Sequence, residues 1–334
     1  MPINSVGDMA QQYSTMRNGS SIKRELSELA ESMSSGLVTD IVRHLNGETA
    51  QLSGINHTLS RLDFYITSGG EIENSLANMQ VVLGQVDKIS EETSSQLLLV
   101  NSNASEGQVT EAARTSRSTF DTMVNLLNTR VGDRALFGGA EVENAPLARA
   151  DDMLTDIVTA IGGATSQAAI SAAIETWFDD PAGGFATMGY QGDTGAAVQK
   201  RISGDTTISV DARADDIAIR SALKFAALAA IVDEMPALDL GTRSGLLQEA
   251  GMGLFSASGE LVNVQARVGS LEGSITRELT EMSAQSTALE ITKNDLVSAD
   301  PFDTASRLQA VQLQLETHYA VTARMSQLSL LSYL

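Results

Sequence analysis

Histidines are the side chains that most often hold a catalytic metal ion, and this chain has three of them, His44, His57 and His318. No two of them stand three or four residues apart, and the chain contains no cysteine. Zinc sites draw most of their ligands from closely spaced histidines and cysteines. The sequence therefore predicts neither a metal site nor a disulfide framework, and we interpret the histidines as ordinary helix residues.

Pairs of aspartates are the second group that could do chemistry, as calcium ligands or as the acid and base of a hydrolase. They are Asp151-Asp152, Asp179-Asp180 and Asp215-Asp216. None has the alternating oxygen spacing of a calcium loop, and adjacent side chains on a helix point in diverging directions. Aspartates commonly cap the free amides of helix N-termini and turns. We interpret the three pairs in that way.

Phosphate binding and nucleophilic catalysis are not predicted either. The glycine-rich run from Gly132 to Gly139 lacks the Gly-Lys-Ser/Thr of a phosphate loop, and we read it as a chain-reversal loop. Serines are numerous, but none stands in a Gly-x-Ser-x-Gly elbow with partners, and Ser244 marks a predicted helix start. The sequence indicates a protein that is not an enzyme and needs no cofactor.

Apolar stripes near the two chain ends are the remaining functional candidates. Residues 301–334 carry two acidic and two basic side chains, and the chain ends in Leu-Ser-Leu-Leu-Ser-Tyr-Leu. A helix so neutral and apolar is either internal core or a polymer interface, and one helix can serve both with different faces. The predicted assembly residues are Ile22, Leu26, Leu29, Met33, Leu308, Val311, Leu315, Tyr319, Met325, Leu328 and Leu331.

Long amphipathic helices must carry these stripes. Apolar residues recur at steps of three and four over residues 20–130 and again from Leu261 to Leu289, and no proline lies between Ile3 and Ala145. Asp300-Pro301-Phe302-Asp303 is typical of a helix start, with Asp300 as the N-cap. Helix breaks are predicted at Asn18-Gly19, Ser35-Gly36, Asn46-Gly47, Ser68-Gly70 and near Gly107.

The middle third of the chain has a different pattern. Alternation over 206–210 predicts a strand that pairs with 198–202, and helical patterns cover 152–161, 167–178 and 215–235. Residues 141–240 hold 16 acidic and 6 basic side chains, a net charge of −10. We predict an inserted α+β domain that faces water.

Bulk composition excludes several partners. The 334 residues are 43% hydrophobic but only 4% aromatic, which suits helix bundles, and the formal net charge is −20. Such a chain repels nucleic acid and anionic membrane surfaces. The N-terminus lacks the basic start and apolar run of a secretory signal, so export by a cleaved signal peptide is not predicted.

Three motifs together resemble the flagellins and hook-associated proteins. They are Met33-Ser34-Ser35-Gly36-Leu37, Leu136-Phe137-Gly138-Gly139 and the C-terminal run containing Gln314-Leu315-Glu316-Thr317-His318-Tyr319. The resemblance covers about residues 1–140 and 240–334. One departure is that residues 38–44 replace the Asn- and Asp-rich stretch that usually follows the first motif.

The resemblance implies a structural subunit of the bacterial flagellum, exported through the flagellum's own channel and located outside the cell. Tyr333 and the modest length favour the type that joins hook to filament over filament flagellin. Implied partners are flagellin and a first hook-associated protein, an export chaperone, and further copies in a tier. Filament flagellin remains one alternative, and an acidic signalling hairpin such as a chemoreceptor cytoplasmic region is another.

The predicted fold is mainly α, an elongated antiparallel helical hairpin or bundle built from both chain ends with a small inserted α+β domain. The predicted boundaries are 1–140 for the N-terminal helices, 141–240 for the inserted outer domain and 241–334 for the C-terminal helices.

Overall fold

A computed structural model describes the backbone of residues 4–101 and 103–331 and the side chains of residues 9–101 and 103–325. Helices dominate this part of the chain, so the prediction of a mainly α fold is confirmed. The helices are α1 (Asn4–Ser35), α2 (Ile41–His44), α3 (Ala50–Leu97), α4 (Glu106–Leu127), α5 (Ala150–Ile161), α6 (Gln167–Asp179), α7 (Ile217–Glu234), α8 (Leu240–Val297) and α9 (Pro301–Leu331). The strands are β1 (Arg130–Val131), β2 (Arg134–Ala135), β3 (Val198–Arg201) and β4 (Thr207–Val210).

The chain forms two compact units. Unit 1 consists of residues 1–63 and 283–334, and unit 2 consists of residues 64–282. The long helices α3 and α8 contribute to both. The predicted outer domain, residues 141–240, lies inside unit 2 together with parts of these helices, and its boundaries at 140 and 240 stay a prediction.

Unit 1 is organised by the pairing of α1 with α9. Its helices are joined by short, well-capped connections. After α1, the backbone of Gly36 to Val38 runs beside the end of α8, where the Val38 amide donates to the Val297 carbonyl at 2.9 Å and the Ala299 amide donates to Gly36 at 2.8 Å. Asp300 then accepts hydrogen bonds from the amides of Phe302 and Asp303. The predicted start of the last helix is therefore confirmed.

Unit 2 is built around α7. This alanine-rich helix is buried along most of its length, and its two cations, Arg220 and Lys224, pair with Asp179 of α6. Small side chains let α4 and α8 approach it closely: at Gly253 of α8 an added Cβ would lie 2.1 Å from the Phe225 ring. The buried residues of α7 include Ala222, Leu223, Ala226, Ala227, Leu228, Ala229, Ala230, Ile231 and Val232.

Within unit 2, α3 and α8 run antiparallel and are joined by polar contacts. The Ser94 hydroxyl donates to the Gly251 carbonyl at 2.7 Å. The Ser258 hydroxyl donates to Asp87 at 2.6 Å, and about two turns nearer the middle of α3 the Gln80 side chain donates to the Gln265 carbonyl at 2.7 Å. These bonds fix the register of the two helices.

The inserted region adds an aromatic cluster and two hairpins to unit 2. Trp177 packs edge to face against Phe178, and Phe178, Phe185 and Tyr190 stack in turn. The Trp177 indole donates to Asp156 at 2.7 Å. The predicted pairing of residues 198–202 with 206–210 is confirmed by the antiparallel β3–β4 hairpin. The glycine-rich run contains a second hairpin, β1–β2, which the sequence analysis read only as a reversal loop.

Two predicted helix breaks are wrong. Helix α1 continues through Asn18-Gly19, and α3 continues through Ser68-Gly70. The predicted helix start at Ser244 is also wrong, because α8 begins at Leu240. The breaks at Ser35-Gly36 and Asn46-Gly47 are confirmed, and α4 begins at Glu106, next to Gly107.

Candidate assembly surfaces

The pairing of α1 with α9 defines the first candidate surface. Gly19 faces the His318 ring, since a Cβ added at Gly19 would lie 2.8 Å from Nε2. Gly36 is hydrogen-bonded to Ala299. Because the partner's number falls as the α1 number rises, the helices are antiparallel, and Leu26 lies about level with Val311. We call the line where the two helices meet the terminal seam.

Most of the predicted assembly residues lie in or beside this seam. Ile22 and Val311 are buried, with 8% and 6% of their surface exposed. Four more are half-buried, namely Leu26, Leu29, Leu308 and Leu315. Ile22 and Val311 therefore pack between the subunit's own helices, and the assignment of the whole set to an assembly interface stays a prediction.

The other predicted residues lie further out. Met33, Tyr319 and Met325 are 47%, 50% and 40% exposed. The Lys23 ammonium lies 5.6 Å from the centre of the Tyr319 ring, a distance at which a cation is attracted to the ring face. Leu328 and Leu331 belong to α9, but their side chains lie outside the described residues, as does Tyr333 altogether.

A second apolar surface near the chain ends was missed by the sequence analysis. Met9, Tyr13 and Met16 of α1 are 71%, 70% and 69% exposed. Their spacing of four and three residues puts them on one face, and the register of the seam brings Val321 and Met325 of α9 about level with them. We call these five residues the terminal face. Their spacing was visible in the sequence.

Unit 2 carries its own exposed apolar stripe. Met252, Phe255 and Val262 of α8 are 57%, 69% and 51% exposed and share one face of the helix. Leu98, at the end of α3, lies against Gly251 next to this face. We call it the α8 stripe.

A groove in unit 2 is a further candidate surface. It has a volume of about 900 Å³ and lies between α3 and the two hairpins. Its floor is apolar and includes Ile72, Leu76 and Met79. Its polar lining includes the cations Arg134, Lys200 and Arg201 and the carboxylates Glu71 and Asp133. We call it the basic groove.

Lys200 is the most constrained cation of the basic groove. It is half-buried, and its burial, together with the nearby charge of Arg134, lowers the pKa of its ammonium group, while Glu71 acts in the opposite direction. Burial disfavours a charge that lacks a close counterion. An anionic group that entered the groove would relieve this penalty.

Other charged residues of unit 2 are paired. Arg117 bridges Glu234 at 2.5 Å and Asp151 at 3.0 Å, and its hydrogen bond with Glu234 raises the pKa of the guanidinium. Arg213 pairs with Asp215 at 2.9 Å. The buried Arg243 of α8 donates to the Thr110 hydroxyl of α4 at 3.0 Å. These contacts connect structural elements and converge on no reaction centre.

The aspartate pairs behave largely as expected. Asp151 and Asp152 lie in the first turn of α5, and Asp216 caps α7. Asp179 and Asp180 lie at the end of α6, where Asp179 pairs with Lys224 at 2.6 Å and Asp180 accepts from the Ala182 amide. Among the described residues no group of three histidines, aspartates or glutamates could hold a metal ion.

No helix among the described residues has a stretch long and apolar enough for a bilayer. The terminal face and the α8 stripe are short apolar surfaces whose residues alternate with polar positions.

Comparison with known proteins gives one sequence match and a shared fold. Residues 254–334, which include most of α8 and all of α9, match the bacterial flagellin C-terminal helical region. The comparison with curated proteins found no match.

Two solved structures share the architecture. FlgL of Bacillus cereus is 16% identical, with a TM-score of 0.51, and the match covers 72% of this chain and 99% of that one. A protein described as a flagellar hook-associated protein of Vibrio parahaemolyticus is 11% identical, with a TM-score of 0.53, covering 75% of this chain and 99% of that one. Residues 254–334 are thus similar to the flagellin C-terminal region, and the two solved structures share the fold of this chain.

Proposed function

We propose that this chain is a non-enzymatic structural subunit of the bacterial flagellum that forms the junction between hook and filament. The observation that carries the proposal is the pairing of α1 with α9, the helix that lies in the match to the flagellin C-terminal region, with an apolar face left uncovered. A paired end of this kind is suited to packing against further subunits.

The energetics of the terminal face support an assembly role. Each large apolar side chain that leaves water at an interface contributes about 1.5–3 kcal/mol, before the costs of ordering and association are subtracted. The five residues of the terminal face can together offset those costs. Met33 and Tyr319, exposed along the same helix pair, would enlarge the contact.

The proposed partners follow from the proposed position in the flagellum. One surface would contact a hook-associated protein of the first type, another would contact flagellin, and copies would contact each other head to tail within a tier. An export chaperone would hold the apolar C-terminal helix before assembly, and the protein would reach the cell exterior through the flagellar channel. Residues 141–240, with their net charge of −10, would form the outer, solvent-facing part.

Filament flagellin is the second candidate, because the matching family describes a flagellin region. The two candidates differ in self-assembly. Purified flagellin polymerises into long filaments, whereas a junction subunit stops at a short tier. Electron microscopy of the purified, concentrated protein separates them.

A deletion in the bacterium of origin tests the proposed function. We expect cells without this gene to assemble hooks but no filaments, and to release flagellin into the medium. An epitope inserted at the exposed Gly204 of the β3–β4 turn should place the protein at the distal end of the hook by immunogold labelling. Labelling along whole filaments would favour flagellin, and normal motility of the deletion strain would contradict both candidates.

A further inference from the structure

The cations of the basic groove form no ion pair with the described residues, although the carboxylates of Glu71 and Asp133 also line the groove. Residues 141–240 contain 16 carboxylates, and three of the basic residues there, Arg213, Arg220 and Lys224, form ion pairs. Lys200 and Arg201, on the rim of the groove, form none with the described residues. In an acidic region this arrangement indicates a surface kept available for an external anionic group.

The start of α9 combines an exposed apolar ring with carboxylates, and its negative charge is complementary to the cations of the basic groove. Phe302 is 84% exposed, the highest value among the large apolar side chains of the described residues. It lies between Asp300, which caps the helix, and Asp303, whose only ion pair is an exposed one with Arg307. An exposed i,i+4 ion pair of this kind contributes little to stability and exchanges easily.

We propose that the start of α9 in a second copy of this chain, residues 300–303, docks into the basic groove. Phe302 would pack against the apolar part of the lining, where Val131 is 40% exposed, and the two aspartates would face Lys200 and Arg201. The contact joins different surfaces of two identical chains, so it propagates from copy to copy. The inference rests on the proposed function in assuming that copies of the chain assemble, and it names the contact between them.

Other exposed aromatic residues fit the groove less well. Phe255 stands among serine, alanine and glycine and carries no adjacent charge. Phe64 is 67% exposed and follows a single carboxylate, Asp63, with Arg61 two residues before that. Only the α9 start combines an apolar ring with a carboxylate on either side.

Crosslinking of the full-length protein tests the docking directly, because the natural chain has no cysteine to give a background reaction. One chain would carry Ala140→Cys, on the lining of the groove, and the other Ser306→Cys, one helical turn after Phe302. The two purified variants would be mixed and treated with a short bifunctional maleimide. We expect crosslinking about tenfold above that of a control pair with Asn263→Cys, exposed on α8, in place of Ala140→Cys.

Charge reversal tests the recognition. Lys200→Glu in the groove chain should lower the crosslink yield about tenfold, and Asp303→Lys in the other chain should restore much of it. Arg201→Glu, at an exposed side chain, serves as the second groove variant in case Lys200→Glu melts early. Arg149→Glu makes the same charge change outside the groove and should leave the yield unchanged.

Several outcomes would overturn the proposal. One is a yield no higher than that of the Asn263→Cys control. Another is an equal loss with Lys200→Glu and Arg149→Glu, which would show a general charge effect. A third is dominant crosslinking between two Ser306→Cys chains, which would show a two-fold contact. Crosslinking of purified protein does not depend on location in the cell, so a failed deletion phenotype with successful crosslinking would reject the proposed function and keep the contact.

Discussion

The two compact units of this chain contrast in how they use apolar residues. In unit 2, α7 is buried along most of its length, and one continuous core extends from Ile72 to Ile275. In unit 1, α1 contributes a narrow seam in which Ile22 is buried, while Met9, Tyr13 and Met16 remain about 70% exposed.

The difference shows that one subunit buries a wide core in unit 2 but only a narrow seam in unit 1. A helix pair with a single seam has few contacts to offset the entropy of ordering. We therefore expect unit 2 to be stable by itself and unit 1 to gain stability from neighbouring subunits. The following predictions test this contrast, from the largest expected effect to the smallest.

Replacement of a core ring in unit 2 should have the largest effect on stability. Phe120 of α4 is fully buried, so Phe120→Ala should lower the free energy of unfolding by about 3–5 kcal/mol. Urea denaturation followed by circular dichroism measures this. Phe255→Ala, at a 69% exposed ring, is the matched control and should change stability by less than about 0.5 kcal/mol. Equal losses in both variants would contradict the described core.

Truncation in the terminal seam should have a smaller and local effect. Val311→Ala removes two methyl groups from a buried position and should cost about 1–2 kcal/mol. Hydrogen exchange should accelerate in α1 and α9 while the amides of α4 and α7 keep their protection. Gln312→Ala, at the exposed neighbouring position, is the control. Faster exchange throughout unit 2 would show that the two units unfold together.

A charge on the terminal face should impair assembly and leave the stability of the isolated subunit nearly unchanged. Tyr13→Asp changes a 70% exposed side chain, so the melting temperature of the isolated subunit should move little. In an assembled tier the same carboxylate would be buried without a partner, which costs several kcal/mol. We expect cells with this variant to release flagellin into the medium. Gln12→Asp is the control, and loss of filaments with both variants would count against the terminal face.

The smallest effect is expected at the start of α8. Asp239 accepts hydrogen bonds from the hydroxyl and the amide of Thr242, and these lower the pKa of its carboxyl group. A group with a lowered pKa stabilises the fold above its unfolded pKa, and that contribution is lost as the pH falls below about 4. Asp239→Asn should therefore flatten the acid side of a plot of melting temperature against pH. An unchanged acid side would contradict the cap.

Two of the errors in the helix prediction concern glycine sites and have a common cause. Gly19 and Gly69 were read as breaks, yet each lies within a continuous helix at a close crossing. An added Cβ would lie 2.8 Å from His318 at Gly19 and 2.7 Å from Leu279 at Gly69. The sequence shows that a glycine is present, but only the partner helix shows whether it is there for a turn or for close packing. Asp300-Pro301 was predictable because a cap is local.

The candidate surfaces, too, were predictable only where the signal is local in the sequence. The spacing of Leu26, Leu29, Leu308 and Leu315 predicted apolar faces. Spacing alone does not show whether such a face packs within the same chain or against another chain. The seam accounts for the buried members of the stripe. The basic groove was not predictable, because Arg134 and Lys200 are far apart in the sequence and meet only through the placement of the two hairpins beside α3.

The terminal seam has a further consequence for the order in which the chain folds. Gly19 and His318 are separated by nearly the whole polypeptide, and contacts over such separations form late because a very long loop must close first. When the chain is delivered with its N-terminus first, α1 cannot pair with α9 until the end of the chain has followed. The last residue of the unit 2 core is Ile275, so this core can form before α9 has been delivered. The surface proposed for assembly therefore forms only after the last thirty or so residues of the chain have been delivered.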